Sequence, residues 1–185
     1  RFGTSGAVQF KEQLGGCVVH LNASGNTAVV AMQGAQVLSF CHHALGEVLW
    51  LSPIARLGTG KAVRGGIPIC WPWFGPHPEG ISAAPAHGFV RAQPWSVEEA
   101  RGDEHEAHII LSFEVDPEVI GAIWPHATKL KLCVRLAETL QMSLTTENAG
   151  ATSTGAMNTG AMNTGATSFN LTQALHTYLR VQAIE

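Results

Sequence analysis

The sequence has few charged residues, a single tyrosine and only four cysteines among its 185 residues. Charged side chains make up 14% of the chain and hydrophobic ones 45%, a balance that excludes a disordered chain or a protein that wraps nucleic acid. The formal net charge is −3 with the nine histidines neutral, so neither a nucleic acid nor an anionic membrane is an expected partner. Any bound anion must therefore be held locally, by a few arginines.

The sequence also lacks long apolar runs and paired cysteines. Its longest apolar stretches fall short of the roughly 18 residues that a membrane span needs, and residues 1–6 show no secretory signal pattern. The first residue is not Met, which suggests a trimmed or incomplete chain. Widely spaced cysteines without a C-x-x-C pair predict free thiols, a reducing compartment and hence a cytoplasmic protein. These cysteines are Cys17, Cys41, Cys70 and Cys133.

We expect neither a metal nor a cofactor. The adjacent His42 and His43 should point to opposite faces of a strand, which is no arrangement for a metal site. Cys70 lies in an apolar setting that should raise its pKa and leave the thiol inert.

Hydrophobic residues recur mostly with period two, which predicts strands. The alternation is clearest in 128–136 and 139–147, which the short Ala137-Glu138 link should join into an antiparallel hairpin. A turn or two of helix is predicted near Pro117–Ile123. Many short strands with polar turns predict an all-β sandwich or barrel, built as a single domain over residues 1–185. The other predicted strands are His108–Val115, Cys17–Asn22, Thr27–Met32, Gln36–Phe40 and Glu47–Leu51.

Residues 152–168 repeat the unit Asn-Thr-Gly-Ala-Met with a period of five. Such a period fits no solenoid or propeller, and the small polar residues predict a surface loop without a function of its own.

An irregular segment, residues 60–78, combines two Trp, one Phe, four Pro and four Gly. This composition predicts a rigid wall rather than a regular helix or central strand. Its aromatic rings suit the apolar faces of a sugar ring, and the neighbouring Arg64 suits an anionic group. The alternative, that the aromatics plug one end of the core, is equally compatible with the composition.

Two histidines complete the candidate site. His87 precedes Gly88, which allows close backbone approach, and Arg91 follows four residues later. In an extended strand His176 would share one face with Tyr178. These residues alone make a weak signal.

Three ordered motifs make the signal specific: VRGGIPICWPWFGPH (residues 63–77), AHGFVR (86–91) and QALHTY (173–178), with LWLSP (49–53) upstream. They closely resemble the glucose-6-phosphate 1-epimerase branch of the aldose 1-epimerase family, and the resemblance covers essentially all of the chain except the repeat. It implies a large antiparallel β-sandwich of the galactose mutarotase type and an isomerase that interconverts the α and β anomers of a hexose 6-phosphate. Ala86 stands where that branch can carry Gln, which could alter sugar preference.

The resemblance also implies roles for residues of this sequence. His176 would be the general acid at the ring oxygen, and His87 would bind or orient the sugar near the same oxygen. Arg64 and Arg91 would hold the phosphate, while Trp73 and Phe74 would contact the sugar. The expected partner is a small sugar phosphate bound by a monomer, with no metal.

The family's catalytic glutamate and a sugar-binding aspartate lie well beyond the QALHTY motif, and Glu185 comes too early to be that base. We therefore expect the N-terminal portion of the enzyme, a poor catalyst or none by itself. Three alternatives stay open: a sugar-phosphate-binding module without catalysis, a mutarotase of unphosphorylated aldoses, and a structural fragment with idle motifs.

Overall fold

The protein is built from antiparallel strands in three sheets. The structure, a computed structural model, describes residues 6–150 and 168–181. Within them the sheet orders are β1-β2-β3-β4-β5, β10-β9-β8-β7 and β11-β6, and every pair of named strands is antiparallel. The predicted all-β class is therefore confirmed. The elements are β1 (Val8–Gln13), β2 (Gly16–Ala23), β3 (Asn26–Ala31), β4 (Val37–His42), β5 (Gly46–Glu47), β6 (Ile69–Cys70), a short 3-10 helix (Val90–Ala92), β7 (Ser96–Gly102), β8 (Ala107–Val115), α1 (Pro117–Ile120), β9 (Thr128–Leu136), β10 (Leu140–Asn148) and β11 (Ala174–Leu175).

The β9–β10 hairpin shows how alternation builds the core. The predicted antiparallel hairpin is present, but its pairing starts with Leu140 opposite Leu136, so the connection is residues 137–139 rather than the expected Ala137-Glu138 link. The Ala137 N–H closes this turn by donating to the Thr139 carbonyl at 3.1 Å. The inward residues of β9 are all fully buried; they are Leu130, Leu132, Val134 and Leu136.

The five-stranded and four-stranded sheets pack against each other and share one apolar core. Leu21 and Val30 from one sheet lie in the same buried cluster as Ile109 and Leu132 from the other. Burial of this apolar surface, worth about 25 cal/mol per Å², is the main force that holds the two sheets together. A smaller cluster that includes Leu38 packs against the opposite face of the five-stranded sheet.

Several elements differ from the sequence expectation. Strands β1 and β7 were not predicted, because their charged and half-exposed residues hide the alternation. The predicted strand Glu47–Leu51 is reduced to β5 followed by isolated bridges, in which Leu49 pairs with Leu179 and Leu51 with Gly65. Helix α1 lies where it was expected but ends at Ile120.

The proline-rich and aromatic segment 60–78 is irregular apart from β6, as predicted. Trp71 is 0% exposed and Trp73 is 2% exposed, whereas the next residue, Phe74, is 49% exposed. The two tryptophans fill the core, as the second interpretation predicted, whereas the phenylalanine faces solvent, and its contact with a sugar stays a prediction.

The structure tests what was expected of the four cysteines and of the adjacent His42 and His43. All four cysteines are free thiols, and burial raises the pKa of Cys70, as expected for an inert thiol. The expectation that His42 and His43 point to opposite faces was wrong, since their ring centroids lie 4.4 Å apart. Strand β4 ends at His42, so His43 does not continue its alternation.

Residues 6–150 and 168–181 contain neither a membrane-spanning helix nor a group of side chains suited to a metal ion. No helix in these ranges is long and apolar enough to cross a membrane. No group of three or more His, Cys, Asp or Glu side chains there could hold a metal ion. The repeat at 152–168, apart from Ser168, lies outside the described residues.

Candidate active site

His176 is carried by an extended segment that lies between two other parts of the chain. After β11, the His176 N–H donates to the Pro68 carbonyl at 3.0 Å and the Tyr178 N–H to the Gly66 carbonyl at 2.9 Å. On the other side the Trp50 N–H donates to the Tyr178 carbonyl at 2.9 Å. His176 and Tyr178 are half-buried while Thr177 between them is exposed, so the two rings share the protected face. Their centroids are 4.9 Å apart.

His87 is presented by a loop in a left-handed backbone conformation. Its φ is +64°, and Gly88 follows at +73°. A Cβ on Gly88 would lie 1.8 Å from the Trp71 carbonyl oxygen, so only glycine fits this approach. The His87 N–H donates to the Gly75 carbonyl at 2.7 Å, and the Gly75 N–H donates back to His87 Nδ1 at 3.1 Å.

The two imidazoles meet beside one aromatic ring. The centroids of His87 and His176 are 6.2 Å apart, and Phe74 lies 4.7 Å from the first and 5.7 Å from the second. We call these three side chains the imidazole cluster. It combines two imidazoles, a side chain whose chemistry suits proton transfer, with a half-exposed apolar ring that suits the face of a sugar.

The protonation of His87 is set by its surroundings. Burial lowers the pKa of His87 below its ordinary 6.5, and the positive charge of Arg91 and the neighbouring His176 lower it further. Because Nδ1 accepts the Gly75 N–H, the neutral ring carries its proton on Nε2. His87 is therefore an uncharged hydrogen-bond donor.

Arg91 lies next to His87, in the short 3-10 helix. Its Nη2 donates to the Ala86 carbonyl at 2.7 Å, which anchors one edge of the guanidinium beside the His87 loop. The side chain is half-buried, and its charge acts on both His87 and the Cys70 thiol.

Two aromatic rings lie between Arg64 and His176 of the imidazole cluster. It is exposed, and its guanidinium carbon lies 5.9 Å from the Trp50 ring centroid. The Trp50 ring is 6.0 Å from Tyr178, which in turn contacts His176. Among the ion pairs formed by the described residues, none involves Arg64 or Arg91.

Trp73 lies beneath the surface that carries Phe74. Its indole N–H donates to the Pro85 carbonyl at 3.0 Å, and its ring packs against His77 and Phe89. Trp73 is 2% exposed, so it presents little surface to a sugar bound at the imidazole cluster. It supports the loop that leads to His87.

A cavity of about 590 Å³ borders the site without including the imidazoles. Its walls include Trp73, Trp124, Phe169 and Thr172. Pro72 and Thr172 line this cavity and also belong to the segments that carry Phe74 and His176. His87 and His176 themselves do not line it.

Sequence reasoning assigned no role to Trp50 or Thr172. Trp50 stands in the LWLSP motif and supports Arg64. Thr172 accepts a hydrogen bond from the Phe74 N–H at 3.0 Å. No local pattern could have revealed either contact, since each joins segments far apart in the chain.

Comparison with known proteins gives consistent results. The aldose 1-epimerase family model matches residues 17–185. A protein of Escherichia coli K12 named "Putative glucose-6-phosphate 1-epimerase" is 36% identical over 155 residues, 83% of this chain and 45% of that protein. A protein of the same name from Cenchrus ciliaris is 33% identical over 172 residues, 90% of this chain and 47% of its own length. The chain thus spans about half the length of the curated relatives it matches.

Solved structures share the fold. A crystal structure described as a "putative mutarotase (YeaD)" from Salmonella typhimurium has a TM-score of 0.71 and 29% identity, covering 80% of this chain and 49% of that one. A galactose mutarotase-like protein from Clostridium acetobutylicum, at 15% identity, shares the fold with a TM-score of 0.61 over 77% of this chain and 50% of its own.

Proposed function

Because the chain belongs to the aldose 1-epimerase family, we propose that it serves the interconversion of the α and β anomers of a hexose 6-phosphate of the glucose 6-phosphate type. The observation that carries this proposal is the imidazole cluster, in which His87 and His176 meet over Phe74. Because the chain spans about half the length of its curated relatives, the activity of the whole protein is part of the proposal.

The reaction needs two proton movements. One proton leaves the anomeric hydroxyl and another reaches the ring oxygen, after which the ring opens to an aldehyde, the C1–C2 bond rotates and the steps reverse. In the proposed scheme His176 delivers the proton to the ring oxygen, a task suited to an imidazole at neutral pH. A general base must take the proton of the anomeric hydroxyl, and we assign none of the described residues to that step.

His87 is proposed to orient the sugar. Its Nε2–H donates to a sugar oxygen, and the Gly75 N–H holds the ring in the tautomer that allows this. Its lowered pKa favours the neutral form of His87, which suits a hydrogen-bond donor rather than the acid.

Arg64 and Arg91 are proposed to bind the phosphate. A guanidinium group presents paired N–H donors that match phosphate oxygens and keeps its charge at any working pH. Neither arginine is paired with a carboxylate among the described residues, so neither charge is already neutralised. Phe74 is proposed to contact the C–H face of the sugar, with Trp73 supporting the loop from below.

The acid role is tested with His176→Ala. With a version of the protein that spans the full length of its relatives, saturation-transfer NMR on glucose 6-phosphate should show anomer exchange above the uncatalysed rate, and the variant should lose roughly 100- to 10,000-fold of that acceleration. His105→Ala, which changes a highly exposed histidine far from the site, is the control and should leave exchange unchanged. Exchange at the unmodified rate in His176→Ala would exclude the mechanism, and binding without any acceleration would favour the non-catalytic module.

The phosphate role is tested by titrating the chain with glucose 6-phosphate and with glucose. Arg64→Ala and Arg91→Ala should each weaken binding of the phosphorylated sugar by about 10- to 100-fold, the range for a lost charge-assisted hydrogen bond. Binding of glucose should change little. Arg56→Ala is the control, since that exposed guanidinium donates to the Ala55 carbonyl beside it. Equal losses for both sugars would argue against phosphate as the anionic group.

A further inference from the structure

Thr172 joins the two parts of the chain that carry the imidazoles. Its N–H donates to the Pro72 carbonyl at 3.0 Å, and its side-chain oxygen accepts the Phe74 N–H at 3.0 Å. A single residue therefore uses a backbone and a side-chain group to bind both sides of Trp73. Strand pairing between β11 and β6 ends at Cys70, so this contact continues the connection beyond the sheet.

The hydrogen bond from Phe74 to Thr172 holds the backbone of a residue that belongs to the imidazole cluster. Phe74 contacts both imidazoles, and the residue after it, Gly75, holds His87 by the reciprocal hydrogen bonds described above. His176 follows Thr172 on the same extended segment and is held there by the Pro68 carbonyl. The Thr172 hydroxyl thus connects the His176 segment directly to the residue whose ring contacts both imidazoles.

We propose that Thr172 is a positioning residue whose hydroxyl sets the spacing between His87 and His176 by fixing Phe74 against both rings. The catalytic consequence of this inference rests on the proposed function, whereas the geometric consequence does not. Only a side chain with an acceptor oxygen on its β-carbon can make this contact, which restricts the position to Thr or Ser among residues of similar size.

The decisive comparison is Thr172→Val with Thr172→Ser. Valine keeps the shape and removes the acceptor, whereas serine keeps the hydroxyl; because Thr172 is exposed, neither change empties the core. Thr172→Ala serves as a second variant without the acceptor should the β-branched replacement fail to fold. Thr177→Val is the matched control, since it removes a hydroxyl from the exposed face of the same segment.

Two NMR measurements report the geometry without catalysis. In the unmodified chain and in Thr172→Ser, ring protons of Phe74 should show nuclear Overhauser contacts to His176, and His87 should titrate below pH 6.5. In Thr172→Val the contacts should weaken, and the His87 midpoint should move toward 6.5, because the His176 charge no longer acts at the same distance. Unchanged contacts and an unchanged midpoint in Thr172→Val would overturn the positioning role.

Anomer exchange supplies the third measurement. Misplacement by about 1 Å costs roughly 100-fold in rate, so Thr172→Val should lose about 10- to 100-fold in kcat with KM nearly unchanged, and Thr172→Ser should recover the rate. If a version that spans the full length of the relatives, with Thr172 unchanged, does not accelerate exchange, the proposed function fails while the two NMR measurements still decide the position of the rings. Shifted ring contacts with an unchanged exchange rate would show that the spacing has no catalytic role and would overturn the inference.

Discussion

At the scale of single residues, the site depends on how one histidine is kept neutral. Burial disfavours the charged imidazolium of His87, and the nearby charge of Arg91 disfavours it further. The Gly75 N–H then selects the tautomer with its proton on Nε2. A histidine that is free to titrate at 6.5 would be half charged at that pH, and its donor pattern would change with it.

Replacing Arg91 with Gln should raise the pKa of His87 toward 6.5, because a positive charge that opposes protonation is removed. Proton NMR of the imidazole across pH 4–8 measures this directly. Since the pKa of folded His87 lies below the unfolded value, its contribution to stability is complete above about pH 6.5 and is lost as the pH falls through the folded pKa. In Arg91→Gln that acid-side loss should shrink. Arg56→Gln should leave the His87 titration where it was, and a matching shift there would point to net charge as the cause.

At the scale of elements, the loop that carries His87 is shaped by close backbone approach rather than by a regular strand. Gly88 lies against Trp71, the buried residue that directly follows β6. Trp73 donates a hydrogen bond to the Pro85 carbonyl, two residues before His87. Two successive residues with positive φ turn the chain so that the His87 side chain reaches Phe74. The loop is irregular because the backbone changes direction at these two residues, which neither a strand nor a helix allows.

Gly88→Ala should destabilise the protein and displace His87. Gly80→Ala is a matched control, because Gly80 has φ +71° against +73° at Gly88 but open space where a Cβ would lie. Both variants incur the cost of a left-handed alanine, on the order of 1 kcal/mol. Only Gly88→Ala adds a backbone clash, for which a further loss of about 1–3 kcal/mol in the free energy of unfolding is expected. Urea unfolding of the two variants checks this, and equal losses would show that the approach to Trp71 is not as close as described.

At the scale of the whole molecule, a buried amide connects the two large sheets. Asn26, at the start of β3, is 1% exposed, and its Nδ2 donates to the Ala137 carbonyl at 2.7 Å in the β9–β10 turn. Its Oδ1 accepts the His43 N–H at 2.8 Å after β4. The amide therefore satisfies backbone groups from both sheets at one end of the shared core.

Asn26→Ala should lower the free energy of unfolding by about 1–3 kcal/mol, because buried backbone groups lose their partners. Asn22→Ala removes an exposed amide hydrogen bond to Gly6 from the neighbouring strand and should cost clearly less. Thermal unfolding followed by circular dichroism compares the two. A loss at Asn26 no greater than at Asn22 would mean that the Asn26 amide does not help to hold the two sheets together.

The sequence by itself determined the strands with clean alternation and the segments that carry the chemistry. Every second side chain is apolar from Ala107 to Val115 in β8, from Leu130 to Leu136 in β9 and from Leu140 to Leu144 in β10. Alternation of this kind is a local property of the sequence that matches the two faces of an antiparallel sheet. The sequence also singled out the histidines and arginines of the motifs as candidate site residues and indicated proton transfer and anion binding as their chemistry.

Only the tertiary structure decided which of those residues meet. Trp73 and Phe74 are neighbours in an irregular segment without a period, so nothing local could show that one ring is buried and the other faces solvent. The same holds for His87 and His176, whose separation depends on Gly88, Thr172 and the packing between them. Distances between remote segments are set by how sheets and loops pack, and that packing is a property of the whole chain rather than of any stretch of it.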